Sequence, residues 1–176
     1  MSLSIGDKAP PFSLSSVDGS HVDLASLAGA SAVAVIFSCN HCPYVMAWEE
    51  RMVAIQRDYT DRGLRMVAIN ANDKVMYPED SFEAMVERSA ESGFNFPYLR
   101  DDSQEVPRAY GAERTPEVFL FDSDLRLVYH GAIDDNYEEP DSVESHYLRD
   151  AVEAVLDGRV PEIQETAPVG CTIKWR

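Results

Sequence analysis

Ala32-Val33-Ala34-Val35-Ile36-Phe37-Ser38-Cys39-Asn40-His41-Cys42-Pro43 is the stretch from which the rest of the chain can be read. Its first six residues are apolar and rich in β-branched types, the pattern of a strand buried on both faces. Beyond it, Val45, Trp48, Met52, Ile55 and Tyr59 recur at helical spacing, which predicts a helix from Cys42 to Asp61 with Gly63 as its stop. A strand ending at Phe37 delivers Cys39 to a helix start, where unpaired backbone N–H groups and the helix dipole favour an anion. The thiolate is the species stabilised there. The spacing predicts Cys42 one turn further in, on the same face, close enough for a disulfide with little backbone movement. Pro43 falls in the first turn, where a missing N–H costs little.

Two cysteines three residues apart can also be half of a zinc site. Zinc needs two more ligands at comparable spacing, and no second pair exists in the chain. The strand-to-helix setting therefore favours redox use. His41, just before the second cysteine, can carry positive charge or donate a hydrogen bond near the Cys39 sulfur, lowering its pKa below the free value of about 8.5. Its plainer role is a solvated loop histidine. Readings of a different class are a copper(I) or zinc carrier, with His41, His130 or Cys171 completing the shell, and a structural adaptor with unreactive thiols. The redox reading requires no metal and no cofactor.

At 176 residues the chain fits one domain with a substantial core, and 45% apolar content suits a globular protein. Fifteen basic against 31 acidic residues give a formal charge of −16, which repels phosphate backbones and anionic membrane surfaces. Nucleic acid and membrane are excluded as partners on that ground. The acidic pairs Glu49-Glu50, Asp101-Asp102, Asp134-Asp135 and Glu138-Glu139 are dispersed, as solvated faces are. No run approaches the roughly 18 apolar residues of a membrane helix, and the first residues lack a basic region followed by an apolar one, so a cytoplasmic location is expected. Three cysteines are too few and too odd for a disulfide-stapled secreted scaffold; they read as one working pair plus Cys171.

Outward from the dithiol, Phe12-Ser13-Leu14 and His21-Val22-Asp23-Leu24 around Asp18-Gly19 predict an N-terminal hairpin with a type I′ turn. Leu64 to Ile69 reads as the parallel partner of the first strand. Ser81 to Ser92 is a second amphipathic helix with Gly93 as its stop, and Tyr98-Leu99 a short strand. Residues 117–121 and 125–130 flank Asp122-Ser123-Asp124 as a second hairpin, and Val143 to Leu156 supplies the last helix, closed by Gly158. This order predicts an α/β fold, a mixed central sheet with helices on both faces. Residues 1–158 form the domain; residues 159–176, with Pro161, Pro168 and Gly170, form an irregular tail packed on or extending from it.

With these elements placed, the chain resembles the thioredoxin-like superfamily, in the branch that unites peroxiredoxin-like (AhpC/TSA) proteins with thiol-disulfide reductases related to cytochrome maturation. The resemblance rests on Gly6-Asp7-Lys8-Ala9-Pro10-Pro11-Phe12-Ser13-Leu14, the Cys39/Cys42 pair, Asn95-Phe96-Pro97-Tyr98-Leu99, Ala109-Tyr110-Gly111 and Arg114-Thr115-Pro116. It implies a cis Thr115-Pro116 peptide facing the dithiol, with the exposed Thr115 backbone free to pair with a substrate strand. Cys39, Cys42 and His41 are then the catalytic residues, and Thr115, Pro116 and Asn40 the substrate contacts. The implied partners are a disulfide-containing protein or small thiol and a reducing donor, the implied activity thiol-disulfide exchange, and the implied state a monomer or weak dimer.

Three departures from the family pattern stand out. Ser38 replaces the tryptophan that usually precedes the first cysteine of thioredoxins. The buried acid those proteins carry near the end of the preceding strand has no counterpart here; Asn72 and Asp73 lie nearby, though turn formation is the simpler role for both. The threonine that peroxiredoxins carry three residues before the peroxidatic cysteine is Ile36 before Cys39, and Cys39 itself before Cys42, which disfavours efficient peroxide reduction. Cys171 is either a third redox partner carried by a flexible tail or a small packed hydrophobe, and the burial preference of cysteine favours packing.

Overall fold

The computed structural model describes residues 1–176. Its centre is β3 (Ala32–Phe37), every residue of which is buried, because it lies between β4 (Leu64–Asn70) in parallel and β7 (Glu117–Asp122) in antiparallel. A strand with a neighbour on each side and a layer on each face has no solvent side, which accounts for its unbroken apolar run. β5 (Tyr98–Arg100) continues the parallel half beside β4, and β8 (Leu127–Gly131) pairs antiparallel with β7. The N-terminal hairpin, β1 (Ser13–Ser16) and β2 (His21–Asp23), joins through β1 and β5, giving the order β2-β1-β5-β4-β3-β7-β8.

Alternate side chains of β3 serve different cores. Ala32, Ala34 and Ile36 face α1 (Pro43–Tyr59), α2 (Phe82–Glu91) and α4 (Tyr147–Leu156) through Trp48, Met52, Ile55, Met85, Leu148 and Val152. Val33, Val35 and Phe37 face a second core that holds Phe119, Phe121 and Tyr110 in edge-to-face contacts, together with Leu24, Leu27 and Ile173. The helix on this second face is α3 (Glu105–Tyr110), which periodicity does not reveal. It has only six residues and carries Pro107 inside, and the amides at its start are held by the preceding loop: Asp101 Oδ1 accepts from Ser103 N and Gln104 N, and Asp101 Oδ2 from Val106 N.

Three local expectations are corrected. The first hairpin turns through a Ser16 carbonyl accepting from Gly19 N, with Gly19 at φ 88° and Asp18 not left-handed, so the turn is followed by a left-handed glycine rather than being type I′. α1 begins at Pro43 and not at Cys42, which is its N-cap with extended backbone (φ −73°, ψ 123°). α4 likewise starts at Tyr147, four residues later than the apolar spacing suggests. No helix is long and apolar enough to cross a membrane.

A buried ionic knot ties α1 to the loop after β8. Asp134 accepts from Trp48 Nε1 at 2.9 Å and from Arg51 Nη1 at 2.9 and 2.8 Å, and Arg51 also donates to the carbonyls of Asn136 and Tyr137. Removing one partner of such a pair leaves the other desolvated and uncompensated. Asp134→Ala should therefore lower stability by about 3 kcal/mol, read as a lower urea midpoint at unchanged slope.

Candidate active site

β3 ends at Phe37, and the chain crosses Ser38 to reach Cys39, Asn40, His41 and Cys42 before the helix starts. Cys39 thus lies in the turn ahead of α1, not on it, and Cys42 takes the capping position. The face-sharing geometry expected of two helical residues is replaced by a loop that folds both sulfurs against Thr115. The Cys39 sulfur lies 3.4 Å from Thr115 Oγ1, and the Cys42 thiol donates to the Thr115 carbonyl at 3.1 Å. The Thr115–Pro116 peptide is cis.

Both thiols are recessed, Cys39 at 5% and Cys42 at 3% exposure. What covers them is the tail. β9 (Cys171–Thr172) pairs antiparallel with β6 (Arg114–Thr115), Cys171 opposite Thr115, and brings the third cysteine into the same apolar cluster as Cys39, Cys42 and Val45. The Thr115 edge expected to lie free for a substrate strand is occupied by the protein's own chain. The cavity of about 150 Å³ that remains is lined by all three cysteines, His41, Tyr77 and Asp80 among others.

His41 stands exposed at the rim and makes no hydrogen bond to Cys39, whose polar neighbours are instead Thr115, Cys42 and Asp80. Asn40 is buried with its polar groups already engaged: its amide N–H donates to Asp80 Oδ1 at 2.8 Å, Nδ2 donates to the Glu79 carbonyl at 2.8 Å, and Oδ1 accepts from Tyr98 Oη at 2.8 Å. These bonds tie the dithiol loop to the Pro78–Asp80 turn and to Tyr98. His130, a ligand in the metal-carrier reading, lies 2.6 Å from Glu117 Oε1 and stacks on Phe119. No three His, Cys, Asp or Glu side chains converge in a geometry suited to a metal ion.

Two carboxylates that sequence reasoning passes over organise the site. Asp80, 3% exposed on a single helical turn (Pro78–Asp80), accepts from Asn40 N, from Asn70 Nδ2 at 3.0 Å and from Asn72 Nδ2 at 2.9 Å. It places a buried carboxylate beside the dithiol loop, where β3 carries none. Its only sequence signal is its place just before Ser81, which caps α2 by accepting from Ala84 N. Asn72, considered for that acid, instead holds Asp80 and accepts from Lys174 N of the tail, while Asp73 forms the expected turn by accepting from Val75 N. Glu117, 2% exposed, accepts from Glu113 N and Arg114 N through Oε2 and fixes the strip that presents Thr115.

The three thiols titrate together. A hydrogen bond between the Cys39 and Cys42 sulfurs favours one thiolate on the pair and by itself places it at Cys42, with help from Cys171 and the Val45 amide at the helix start. Burial and the Asp80 charge oppose ionisation at Cys39, and the Thr115 hydroxyl favours it. Burial and then Cys42 raise Cys171 to about 11. Thr115 pulls the proton of the Cys39/Cys42 pair the other way. Its carbonyl beside Cys42 accepts from S–H and disfavours a thiolate there, whereas its hydroxyl can donate to a thiolate at Cys39. The first ionisation therefore belongs to the pair, and the second is suppressed.

A dithiol at the end of a central strand, a helix with the second cysteine at its N-cap position and a cis-proline strip touching both define the thioredoxin-like class. Within it, the chain belongs to the Redoxin family, matching it over residues 4–146. It is similar to the crystal structure of an uncharacterized conserved protein from Geobacillus kaustophilus, 43% identical with a TM-score of 0.91, covering 98% of this chain and 93% of that one. A hypothetical protein from Sinorhizobium meliloti is 39% identical at TM-score 0.94, covering 100% and 97%. The thiol-disulfide oxidoreductase ResA of Halalkalibacterium halodurans is 28% identical over 70% of this chain, a match that spans only 65% of that protein's length.

The Asp80 charge opposes ionisation beside Cys39. Asp80→Asn removes a like charge, so thiolate formation becomes easier and its pH profile moves to lower pH by about one pH unit, as followed by ultraviolet thiolate absorbance. A shift to higher pH would show that the carboxylate acts mainly through the loop hydrogen bonds.

Proposed function

We propose that the protein is a thiol-disulfide oxidoreductase that reduces disulfides of proteins or small thiols through Cys39 and Cys42. The observation that carries this reading is the pair of sulfurs held against the hydroxyl and carbonyl of one residue, Thr115, at the edge where an extended segment is already seen to pair. The resemblance to proteins named thiol-disulfide oxidoreductases supports it.

The dithiol with one proton removed supplies the nucleophile. A substrate disulfide approaches along the Thr115 edge after β9 withdraws. The Cys39 thiolate, accepting from the Thr115 hydroxyl, attacks one substrate sulfur; a Cys39–substrate bond forms as the substrate S–S bond breaks, and the departing sulfur takes up a proton. With Cys39 thus neutralised, Cys42 loses its proton and attacks the Cys39 sulfur. The Cys39–Cys42 disulfide forms and the second substrate thiol leaves, so the substrate gains two electrons and two protons that the dithiol gives up. An external dithiol or two monothiols restore the starting state.

Assignment of the two roles is checked by trapping in a Cys171→Ser background, where no third thiol interferes. With oxidised glutathione, Cys42→Ser should accumulate a stable Cys39–glutathione mixed disulfide, visible by intact mass. Cys39→Ser should trap at least about tenfold less, because Cys42 faces the Thr115 carbonyl. Equal trapping by both variants would overturn the assignment of Cys39 as nucleophile.

A further inference from the structure

The tail is built into the site rather than laid across it. Gly170 packs so closely on the strip that a Cβ there would fall 2.1 Å from the Thr115 carbonyl oxygen and 2.6 Å from its carbon. No side chain fits at that position. Beyond it, Ile173 N donates to the Glu113 carbonyl at 2.9 Å and its side chain is buried in the second core. Lys174 N donates to Asn72 Oδ1, and Asp73 N to the Lys174 carbonyl, joining the tail to the residue that holds Asp80. Trp175 lies under the Arg108 guanidinium at 4.4 Å.

The antiparallel register sets Cys171 directly opposite Thr115. Directly opposed residues project from the same face of a ladder, roughly 4.5–5.5 Å apart at Cβ. The Thr115 side chain points at Cys39, so Cys171 points into the same space and meets the other sulfur, Cys42. In the exchange proposed above, a cysteine on a substrate strand paired in this register would take the same position. Of the three thiols, Cys171 alone is partly exposed.

We propose that Cys171 is a third redox residue of this site: residues 170–172 act as an intramolecular substrate, and the disulfide formed on Cys39 and Cys42 passes to Cys42 and Cys171. The inference rests on the exchange activity proposed above, which supplies the first disulfide from the substrate. In the transfer, Cys171 gives up its proton and its sulfur attacks Cys42. The Cys42–Cys171 bond forms as the Cys39–Cys42 bond breaks, and the electron pair leaves on Cys39, which takes the proton. One disulfide is moved, with no net oxidation. Cys39 returns to the reduced state, and the oxidised bond now ends on the one sulfur that an external thiol can reach without displacing the strip.

The test uses the full chain treated with oxidised glutathione, quenched, alkylated with iodoacetamide and cleaved at Lys and Arg. Cys39 and Cys42 then share the peptide 9–51, and Cys171 lies in 160–174. The expected product is 9–51 joined to 160–174, with the alkyl group on Cys39. An internal disulfide in 9–51 with alkylated Cys171 would overturn the transfer and leave the exchange activity standing. Absence of any protein disulfide would overturn both. Gly170→Ala provides a second arm, since the added methyl pushes the strip off Thr115: the joined peptide should fall about tenfold, and alkylation of the reduced Cys39/Cys42 pair should accelerate by a similar factor. Unchanged yields and rates would show that the strip does not occupy this edge in solution, and the proposal would fall.

Discussion

All three cysteines of this protein meet one residue. Thr115 offers its hydroxyl to Cys39, its carbonyl to Cys42 and its backbone edge to the strand that carries Cys171. Those contacts need Thr115 fixed relative to the end of β3, and the fold fixes it twice. β7 begins immediately after Pro116 and runs antiparallel to β3, with Glu117 opposite Phe37. The Glu117 carboxylate then reaches back to hold the amides of Glu113 and Arg114. The two halves of the site are thus the two ends of one strand pair, and the sheet transmits its rigidity to the chemistry.

Behind Cys39 the molecule buries an unusual density of polar groups: Asp80, Asn70, Asn72, Asn40, Tyr98 and Arg100. They are tolerable because they satisfy one another. Arg100 donates to the Asp80 and Asn72 carbonyls, and Tyr98 bridges Asn40 and Asn70. Burial and the neighbouring negative charges of Cys39 and Asp80 keep the Tyr98 phenol well above its usual range, so it remains a donor. The network keeps a negative charge near Cys39, and that charge opposes thiolate formation there. It also reaches the tail through Asn72 and Lys174, which links what covers the thiols to what sets their acidity.

Much of the frame was legible. A six-residue apolar run rich in β-branched residues reads as a strand buried on both faces, and helical spacing from Val45 to Tyr59 follows from the same partition of core and solvent. α3 escaped because six residues hold too few turns to show a period, and Pro107 argues against a helix until the capping by Asp101 is seen. The dithiol was legible as a motif, and its partner strip through resemblance. Asp80 and Glu117 were not: each is one acid among 31, and nothing local distinguishes the carboxylate that turns inward from those that face water.

By itself, the sequence determined the main strands and the longer helices, the position of the thiol pair between the first buried strand and its helix, and a formal charge of −16. Those follow from patterns within a few residues of each other, where side-chain period and backbone preference act. Only the tertiary structure decided that Cys42 and not Cys39 caps the helix, that an acid from a distant turn stands behind the dithiol, and that the last strand closes over it with Cys171 in contact. The last two are pairings between segments separated by forty to more than a hundred residues, and they depend on which of many similar groups the packed core brings together, a choice that no local pattern encodes.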